Sequence, residues 1–406
     1  MPLIATDPDG VRRGSSSTPP PFPSSLPSLS SPPVVREDKG EGGDAGTSAL
    51  FYCLSEAHQN VGERVMRDPR SKVSVIIPTY NRASSLREAL ISLSHLDFPE
   101  GWYEIVVVDD GSTDETERVM ATLQSAAPTA RYLKQKEHRG ASAARNSGIK
   151  MAGGDILVFT DDDCLFQRGW LSLLLAPFYS GEAGMVGGPD RAPEGSLFFS
   201  KCADYLLTSF IGTGGLRARD SLRLGKYYPR SCNMAIRRDV LAQVGLFDED
   251  LFPGEEIELA YRVEKAGCPI SFAPDAYVWH KRRPSLRAHL RKIYAIGHGR
   301  VALARKHSGL LQMGHMIPFL GVVAALALAG LSFFFDEPLH VSTFLVCGYA
   351  VILFIGGLQA LFRIKDIRAL LIIPPMIALQ HSAHGVGFLV GVIQWAMGSR
   401  ASVSSG

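Results

Sequence analysis

At 406 residues, 46% of them hydrophobic, the chain exceeds one ordinary domain and has ample apolar content for a sizeable core. Its 42 Lys and Arg nearly balance 40 Asp and Glu, but the formal net charge of +2 says little because the charge is unevenly placed; no nucleic-acid partner is expected. Six cysteines include no CxxC pair, which argues against a zinc ribbon or disulfide framework and for reduced thiols.

Residues 14–33 hold fifteen Pro or Ser in twenty. Such a stretch cannot bury enough apolar surface to offset chain entropy, so residues 1–70 are predicted to be a disordered Pro/Ser/Gly-rich segment. Asp7 and Asp9 come early with no apolar run after them, so no secretory signal is expected.

From Lys72 the pattern alternates. KVSVIIP is a β-branched run ending in Pro, and ASSLREALISLSHL has helical spacing of its leucines and isoleucine. EIVVVDD predicts a second strand, followed by a helix from Thr113 capped by Ser112 or Thr113. RYLKQ predicts a third strand and the stretch after Gly140 a helix, then DILVF a strand and Gln167 onward a helix. NMAIRR reads as a strand, RRDVL as the start of an Asp-led helix, and GEEIELAYR as an acidic helix. Continuous apolar strands alternating with helices predict an α/β fold with a mainly parallel sheet covered on both faces.

Further on, nine Lys or Arg fall within 281–306, and no acidic residue lies between Asp275 and Asp336. Residues 281–310 are read as a basic amphipathic segment, helical from about Ser285, lying at a membrane surface with Leu286, Leu290, Ile293 and Tyr294 on one face. The region 311–399 contains three uncharged stretches of roughly the 20 residues a bilayer crossing needs: 316–335, 341–362 and, beyond Pro374-Pro375, 376–397. Residues 400–406 are a tail. Basic flanks at 281–306 and 363–368 place those loops, and the region before them, on the cytoplasmic side of a cell membrane, so membrane lipids are expected partners.

In parallel sheets ligands bind beyond the carboxyl ends of the strands. Here those ends carry PTYNR (78–82), DDGSTD (109–114) and TDDDC (160–164). Asp109 and Asp110 serve a tight turn or accept from ribose or base. Asp161, Asp162 and Asp163 are more than a turn needs. Three adjacent carboxylates repel unless positive charge is held there, and oxygen donors suit Mn²⁺ or Mg²⁺ bound together with substrate phosphates. That charge is expected to arrive with metal and substrate. Further acids, Glu255, Glu256 and Glu258, open a helix behind a Phe-Pro-Gly loop.

The order PTYNR, VVVDDGSTDET, GASAARNSGI, GDILVFTDDD, SCNMAIRRDVL, GEEIELAYR resembles the family 2 glycosyltransferases over about Lys72 to His280. The resemblance implies a GT-A, Rossmann-like catalytic domain over 71–280, inverting chemistry, a nucleotide-sugar donor and a glycan or lipid-linked acceptor. It implies donor contacts from Pro78, Thr79, Tyr80, Arg82, Asp109, Arg145, Asp161 and Asp162. Asp163, the second acid of the family's DxD motif, would hold the metal, with His280 beside it. Asn233, Met234 and Glu255 would lie on the acceptor side. The family's base is usually the Asp of an acidic pair. Here the pair reads Glu255-Glu256, which makes Glu256 the candidate base with an arm one methylene longer. The QxxRW signature of processive synthases is missing. Two alternatives are a catalytically weak nucleotide-sugar-binding membrane protein and a haloacid-dehalogenase-type phosphotransferase, whose motif also follows a strand.

Overall fold

The structure, a computed structural model, describes residues 72–126, 130–214, 226–282, 285–331 and 337–398. The segment 1–70, residues 332–335 of the first predicted span and the tail 400–406 lie outside these.

The described chain opens with β1 (Val73–Thr79), α1 (Ala83–Leu93), β2 (Tyr103–Asp109), α2 (Thr116–Ala126), β3 (Ala130–Lys134), α3 (Ala141–Met151) and β4 (Ile156–Thr160). It continues through β5 (Cys164–Phe166), α4 (Trp170–Tyr179), β6 (Met185–Gly187), β7 (Asp190–Arg191), α5 (Phe198–Thr208) and α6 (Phe210–Thr213). Then follow β8 (Asn233–Arg237), α7 (Arg238–Val244), α8 (Glu255–Lys265), β9 (Ile270–Phe272) and β10 (Val278–His280). Among the described residues seven strands form one sheet in the order β3-β2-β1-β4-β8-β6-β9. β1, β2, β3 and β4 pair in parallel, β8 runs antiparallel to both β4 and β6, and β6 pairs with β9 in parallel. The mainly parallel α/β sheet expected from the sequence is present.

The two-residue period of a strand sends alternate side chains of β1 to opposite faces. Val73, Val75 and Ile77 join a core with Leu86, Leu93 and Trp170. Ile76 joins the other core, with Phe159, Ile257 and Val263. Burial on both faces is why these strands lack a polar alternation.

A smaller sheet, in the order β5-β10-β7, was not evident from the sequence. Strands of two or three residues are too short to show a period. Its register sets His280 opposite Cys164, one residue past the acidic triplet. Because 164–166 is strand, α4 begins at Trp170 and not at Gln167. The start of α2 also shifts, from the expected Thr113 to Thr116. Asp114 outcompetes the hydroxyls: its Oδ1 accepts from Thr116 N (3.1 Å) and Oγ1 (2.5 Å), and its Oδ2 accepts from Ala83 N at the head of α1 (3.0 Å). One carboxylate thus caps two helices. Ser112 instead accepts from Asn81 N (2.8 Å).

Beyond the sheet come α9 (Leu286–Lys306), α10 (Met313–Leu331), α11 (Glu337–Ile364) and α12 (Arg368–Ala396). Ser285 caps α9, accepting from Ala288 N (3.3 Å). Among the described residues two helices are long and apolar enough to cross a membrane, His340–Ile364 and Arg368–Ala396. The apolar part of α10 is shorter, Met316–Leu328, so three crossings are not established by the helices themselves. Pro374-Pro375 does not break α12, which starts ahead of them.

Glycines bring α9 and α12 into backbone contact. A Cβ on Gly297 would lie 2.1 Å from His384 O, and one on Gly387 2.2 Å from Tyr294 O. His289 and His298 pair across the same seam with Gln380 (2.8 Å) and Gln394 (2.7 Å). Part of α9 is therefore internal, with Ile293 buried, while Arg287 and Arg291 stay exposed. On its other side, a Cβ on Gly299 would sit 2.6 Å from Pro253 O, just ahead of α8.

Replacing Gly387 by Val should therefore force the α9–α12 seam apart, an overpacking cost of about 1–3 kcal/mol. Thermal unfolding of the detergent-solubilised chain should show a lower midpoint. Gly321→Val, where a Cβ meets nothing within 4 Å, should not.

Candidate active site

The acidic triplet follows β4, and each of its carboxylates faces a different cation or donor. Asp161 Oδ1 accepts from Arg145 Nη2 (3.0 Å). Asp162 Oδ2 accepts from Thr79 Oγ1 (2.7 Å) at the end of β1, and its Oδ1 from Arg82 Nη1 (3.3 Å). Asp163 Oδ2 accepts from the same Arg82 nitrogen (2.6 Å), and its Oδ1 lies 3.0 Å from His280 Nε2. That last approach is off the line a hydrogen bond needs, so the buried Asp163 Oδ1 has no hydrogen-bond partner. The relieving charge expected to come with metal and substrate is thus already supplied by Arg82, Arg145 and His280.

Burial raises the Asp162 carboxyl to about 7, with Asp163 adding to the rise and Arg82 opposing it. Asp163 has the opposite fate: burial would raise it, but His280 and Arg82 together hold it well below the usual carboxylate range. Burial alone would lower His280, yet Asp163 raises it well above its ordinary value, so the pair is ionic.

The candidate base stands across from this loop. Arg145, almost fully buried on α3, donates from Nη1 to Glu255 Oε1 (2.9 Å) while Nη2 holds Asp161. Glu255 Oε2 accepts from Gly254 N (3.0 Å), so both its oxygens are engaged. Burial, reinforced by Glu256, pushes Glu255 to about 7 against the pull of Arg145. Glu256 Oε1 accepts from Arg230 Nη1 (3.0 Å). Burial would raise Glu256, but Arg230 brings it below the ordinary value.

Tyr80, 40% exposed, stacks on His138 at 4.0 Å and 19°, a flat aromatic pair at the strand ends. Pro78 is part of β1 beside Val108. Asp109 is fully buried and turned inward: Oδ1 accepts from Ser112 N (2.7 Å) and Oδ2 from Tyr132 OH (2.6 Å). Asp110 anchors the loop before α3, accepting from Arg139 N (2.9 Å) and Gly140 N (2.7 Å). The structure thus brings together Thr79, Arg82, Arg145, Asp161, Asp162, Asp163, His280, Glu255 and Glu256, with Tyr80 at the mouth. It does not bring Asn233 and Met234 to a surface, since both are at 0% exposure. The Asn233 amide is taken up by Trp170 Nε1 (2.9 Å), Pro189 O (3.0 Å) and Ala276 O (2.6 Å), and Met234 is core.

Several members went unnoticed in the sequence. Arg230 opens the RSCNMAIRR stretch, where a cation just before a buried strand was the available signal. His138 precedes the Arg139-Gly140 turn with no pattern to mark it. Asp190 and Arg282 carried none, because they meet only through the small sheet: Arg282 donates to Asp190 (2.5 Å) and Asp204 (2.6 Å).

Residues 74–245 match the family model for Glycosyl transferase family 2. The chain carries a family 2 glycosyltransferase domain. The protein is 29% identical over 231 residues to the glycosyltransferase AglE of Haloferax volcanii, covering 56% of this chain and 73% of that one. It is 31% identical over 242 residues to the pre-mycofactocin glycosyltransferase of Mycobacterium tuberculosis, covering 58% and 48%. The chain thus spans about half the length of that second relative. Among solved structures, the mannosyltransferase PcManGT of Pyrobaculum calidifontis, in complex with GDP-Man and Mn²⁺, superposes with a TM-score of 0.57 at 21% identity, over 84% of this chain and 98% of that one. This likeness speaks to the fold. The glycosyltransferase domain sets aside the phosphotransferase alternative.

Titration of Asp162 gives a stability test. Its folded value of about 7 exceeds the ordinary 3.8, so the folded chain loses stability as pH rises through that interval. Asp162→Asn keeps an acceptor for Thr79 and removes that loss. Its melting temperature relative to the parent is expected to rise between about pH 5 and about pH 8. A flat or falling difference, followed by calorimetry, would show that Asp162 does not titrate there.

Proposed function

We propose that the glycosyltransferase domain moves a sugar from a nucleotide-diphosphate donor, a UDP-sugar, to an acceptor hydroxyl on a membrane-linked glycan or lipid, with inversion. The observation that carries this reading is the Arg145 bridge, which joins Asp161 of the acidic loop to Glu255 of the helix that also bears Glu256. It holds a diphosphate-facing loop and a candidate base on opposite sides of one site.

In this reading Glu256 takes the acceptor's hydroxyl proton as that oxygen attacks the anomeric carbon from the face opposite the diphosphate. To do so it must leave Arg230, whose pairing weakens it as a base. The freed Arg230 guanidinium stays on the acceptor side of the site, opposite the diphosphate. Tyr80 offers a face for the nucleobase, and Arg82, released from Asp163, can turn to the phosphates. The unpartnered oxygen of Asp163, with His280 Nε2 beside it, fits a divalent ion of the Mn²⁺ or Mg²⁺ kind. Such an ion, when bound, supplies positive charge to the leaving diphosphate. Glu255, with both oxygens engaged, orients Arg145. Asp109 acts through the turn it braces.

The same proposal places the chain in the cell membrane as a multi-pass protein with its catalytic domain cytoplasmic. Its supports are the two long apolar helices and the basic flanks at 281–306 and 363–368, and a third crossing through 316–335 is part of the proposal. A relative from Campylobacter jejuni, 36% identical over 127 residues, is a GalNAc(5)-diNAcBac-PP-undecaprenol beta-1,3-glucosyltransferase, which agrees with a lipid-linked acceptor. That match covers 31% of this chain and 40% of that protein.

A second reading, a binding protein of low turnover, is favoured by one observation: Glu256 is held by Arg230. Glu256→Gln separates the two. A drop in transfer rate of about 10²–10⁴-fold with donor affinity retained is expected if Glu256 is the base. A parent that binds UDP-sugar without turnover would instead support the binding reading. Chelation of divalent ions should abolish transfer, with Mn²⁺ restoring it. A thermal-shift comparison of UDP, GDP and dTDP with Mn²⁺ should show the largest rise with UDP.

A further inference from the structure

We propose that Cys232, Asp190 and His280 form a second metal site, for a thiophilic divalent ion such as Zn²⁺, behind the acidic loop. The three come from separate elements: Cys232 directly precedes β8, Asp190 opens β7 and His280 closes β10. One sulfur, one nitrogen and one oxygen donor lie within 4.8 Å of one another, and all three residues are more than nine-tenths buried.

The decisive atom is His280 Nδ1. It is buried with no hydrogen-bond partner, and the nearest carboxylate oxygen, Asp190 Oδ2, stands 3.5 Å away. The Asp190 charge beside it offsets part of its desolvation, but the hydrogen-bonding capacity of this buried ring nitrogen is unmet and needs an explanation. A metal ion between it, the thiolate and the carboxylate would provide one. The donor set of S, N and O is that of zinc and unlike the oxygen-rich set suited to Mn²⁺ or Mg²⁺. Ligating carboxylates are usually hydrogen-bonded in turn. Asp190 is so held, by Arg282, which is itself fixed by Asp204.

A second combination, Asp163, Cys164 and His280, has equally close donors. There the imidazole would have to use Nε2, which already faces Asp163 at 3.0 Å. The unpartnered Nδ1 favours the Cys232 side. Binding there displaces two protons to solvent, one from the Cys232 thiol and one from His280 Nδ1. No electron changes hands. The Cys232 thiolate and the Asp190 carboxylate then balance the ion's two charges.

A regulatory consequence rests on the reading above, that His280 Nε2 serves the donor's metal. An imidazole bound through Nδ1 keeps its proton on Nε2, so it cannot ligate a second ion there. Zinc and the catalytic metal would therefore compete for one ring.

The test uses the full-length chain, solubilised in detergent and stripped of metal, titrated with Co²⁺. One equivalent should give a near-ultraviolet thiolate-to-cobalt charge-transfer band that Zn²⁺ abolishes by displacement. Cys232→Ser should remove the band, and Asp190→Asn should weaken Co²⁺ binding by about tenfold or more. Cys164→Ser should keep the band. Circular dichroism checks that each variant folds, and the Asn variant provides an independent arm if Cys232→Ser does not. No band in the parent, a band that survives Cys232→Ser, or one lost on Cys164→Ser would overturn the site. In a second arm, electron paramagnetic resonance of free Mn²⁺ measures its binding with and without one equivalent of Zn²⁺. Weaker Mn²⁺ binding in the parent, but not in Cys232→Ser, supports the shared ring. An unchanged Mn²⁺ affinity beside an intact cobalt band overturns the shared ring, and with it the role given to His280, while the zinc site stands.

Discussion

The Arg145 guanidinium is buried between Asp161 and Glu255, residues far apart in the domain's sequence, and it decides where the two halves of the site stand. Taking a guanidinium out of water is costly, and only carboxylates on both sides offset it. Losing either partner would leave a guanidinium nitrogen buried without its acceptor, a cost of about 1–3 kcal/mol. The surroundings leave Arg145 little room to choose another arrangement. Its neighbour Asn146 pins the Phe247 backbone through paired hydrogen bonds of 2.9 and 3.0 Å. Phe247 in turn lies under the guanidinium, 5.7 Å from ring centroid to Cζ. Gly148 lets α3 sit close enough to the sheet for this, since a Cβ there would come within 2.5 Å of Ile76.

The same economy governs the rest of the site. Each acid of the triplet and of the Glu255-Glu256 pair already has a protein cation beside it: Arg145 for Asp161 and Glu255, Arg82 for Asp162, Arg82 and His280 for Asp163, Arg230 for Glu256. A ligand entering such a site exchanges partners and does not simply add charge. Arg82, released from the acidic loop, becomes available to phosphate oxygens. Asp163, released from Arg82, becomes available to a cation. Because the ion pairs lie in a desolvated setting, each swap is larger in energy than at a surface, and a mismatched ligand that frees one charge without pairing it is strongly disfavoured. This gives selectivity by charge pairing.

How much of this could be read from the sequence depends on the length scale of each signal. β1, β2 and β4 are mainly apolar strands of seven, seven and five residues, and their polar ends mark the site edge, so the acidic triplet and the Glu255-Glu256 pair were visible as chemistry. β5, β7 and β10 are too short to carry a period, so nothing foretold that Asp190 and Cys232 would meet His280. The start of α2 was missed because Asp114 offers two acceptor oxygens where Ser112 and Thr113 offer one hydroxyl each. Asp109 looked like a ligand contact, but the sequence could not show that Ser112 and Tyr132 use both of its oxygens. Conversely Pro374-Pro375 looked like a break, yet neighbouring helices keep α12 continuous through it.

The helix that bears Glu256 is also keyed to the apolar helices, and this constrains how an acceptor can reach it. Gly299 of α9 abuts Pro253 immediately before α8, while Gly297 and Gly387 close α9 onto α12. Leu303 of α9 is buried in the same core as Ile257 and Leu259 of α8. Backbone-to-backbone contacts of this kind cannot slide without opening voids, and close-packed interiors transmit displacement instead of absorbing it. Glu258 adds a polar lock, accepting from His307 (2.8 Å) just past α9 and paired with Lys306 (3.1 Å). The candidate base and the apolar helices therefore move as one body. An acceptor carried along those helices would meet Glu256 at a fixed height, so its reach would be set by the length of the acceptor and not by flexing of the domain.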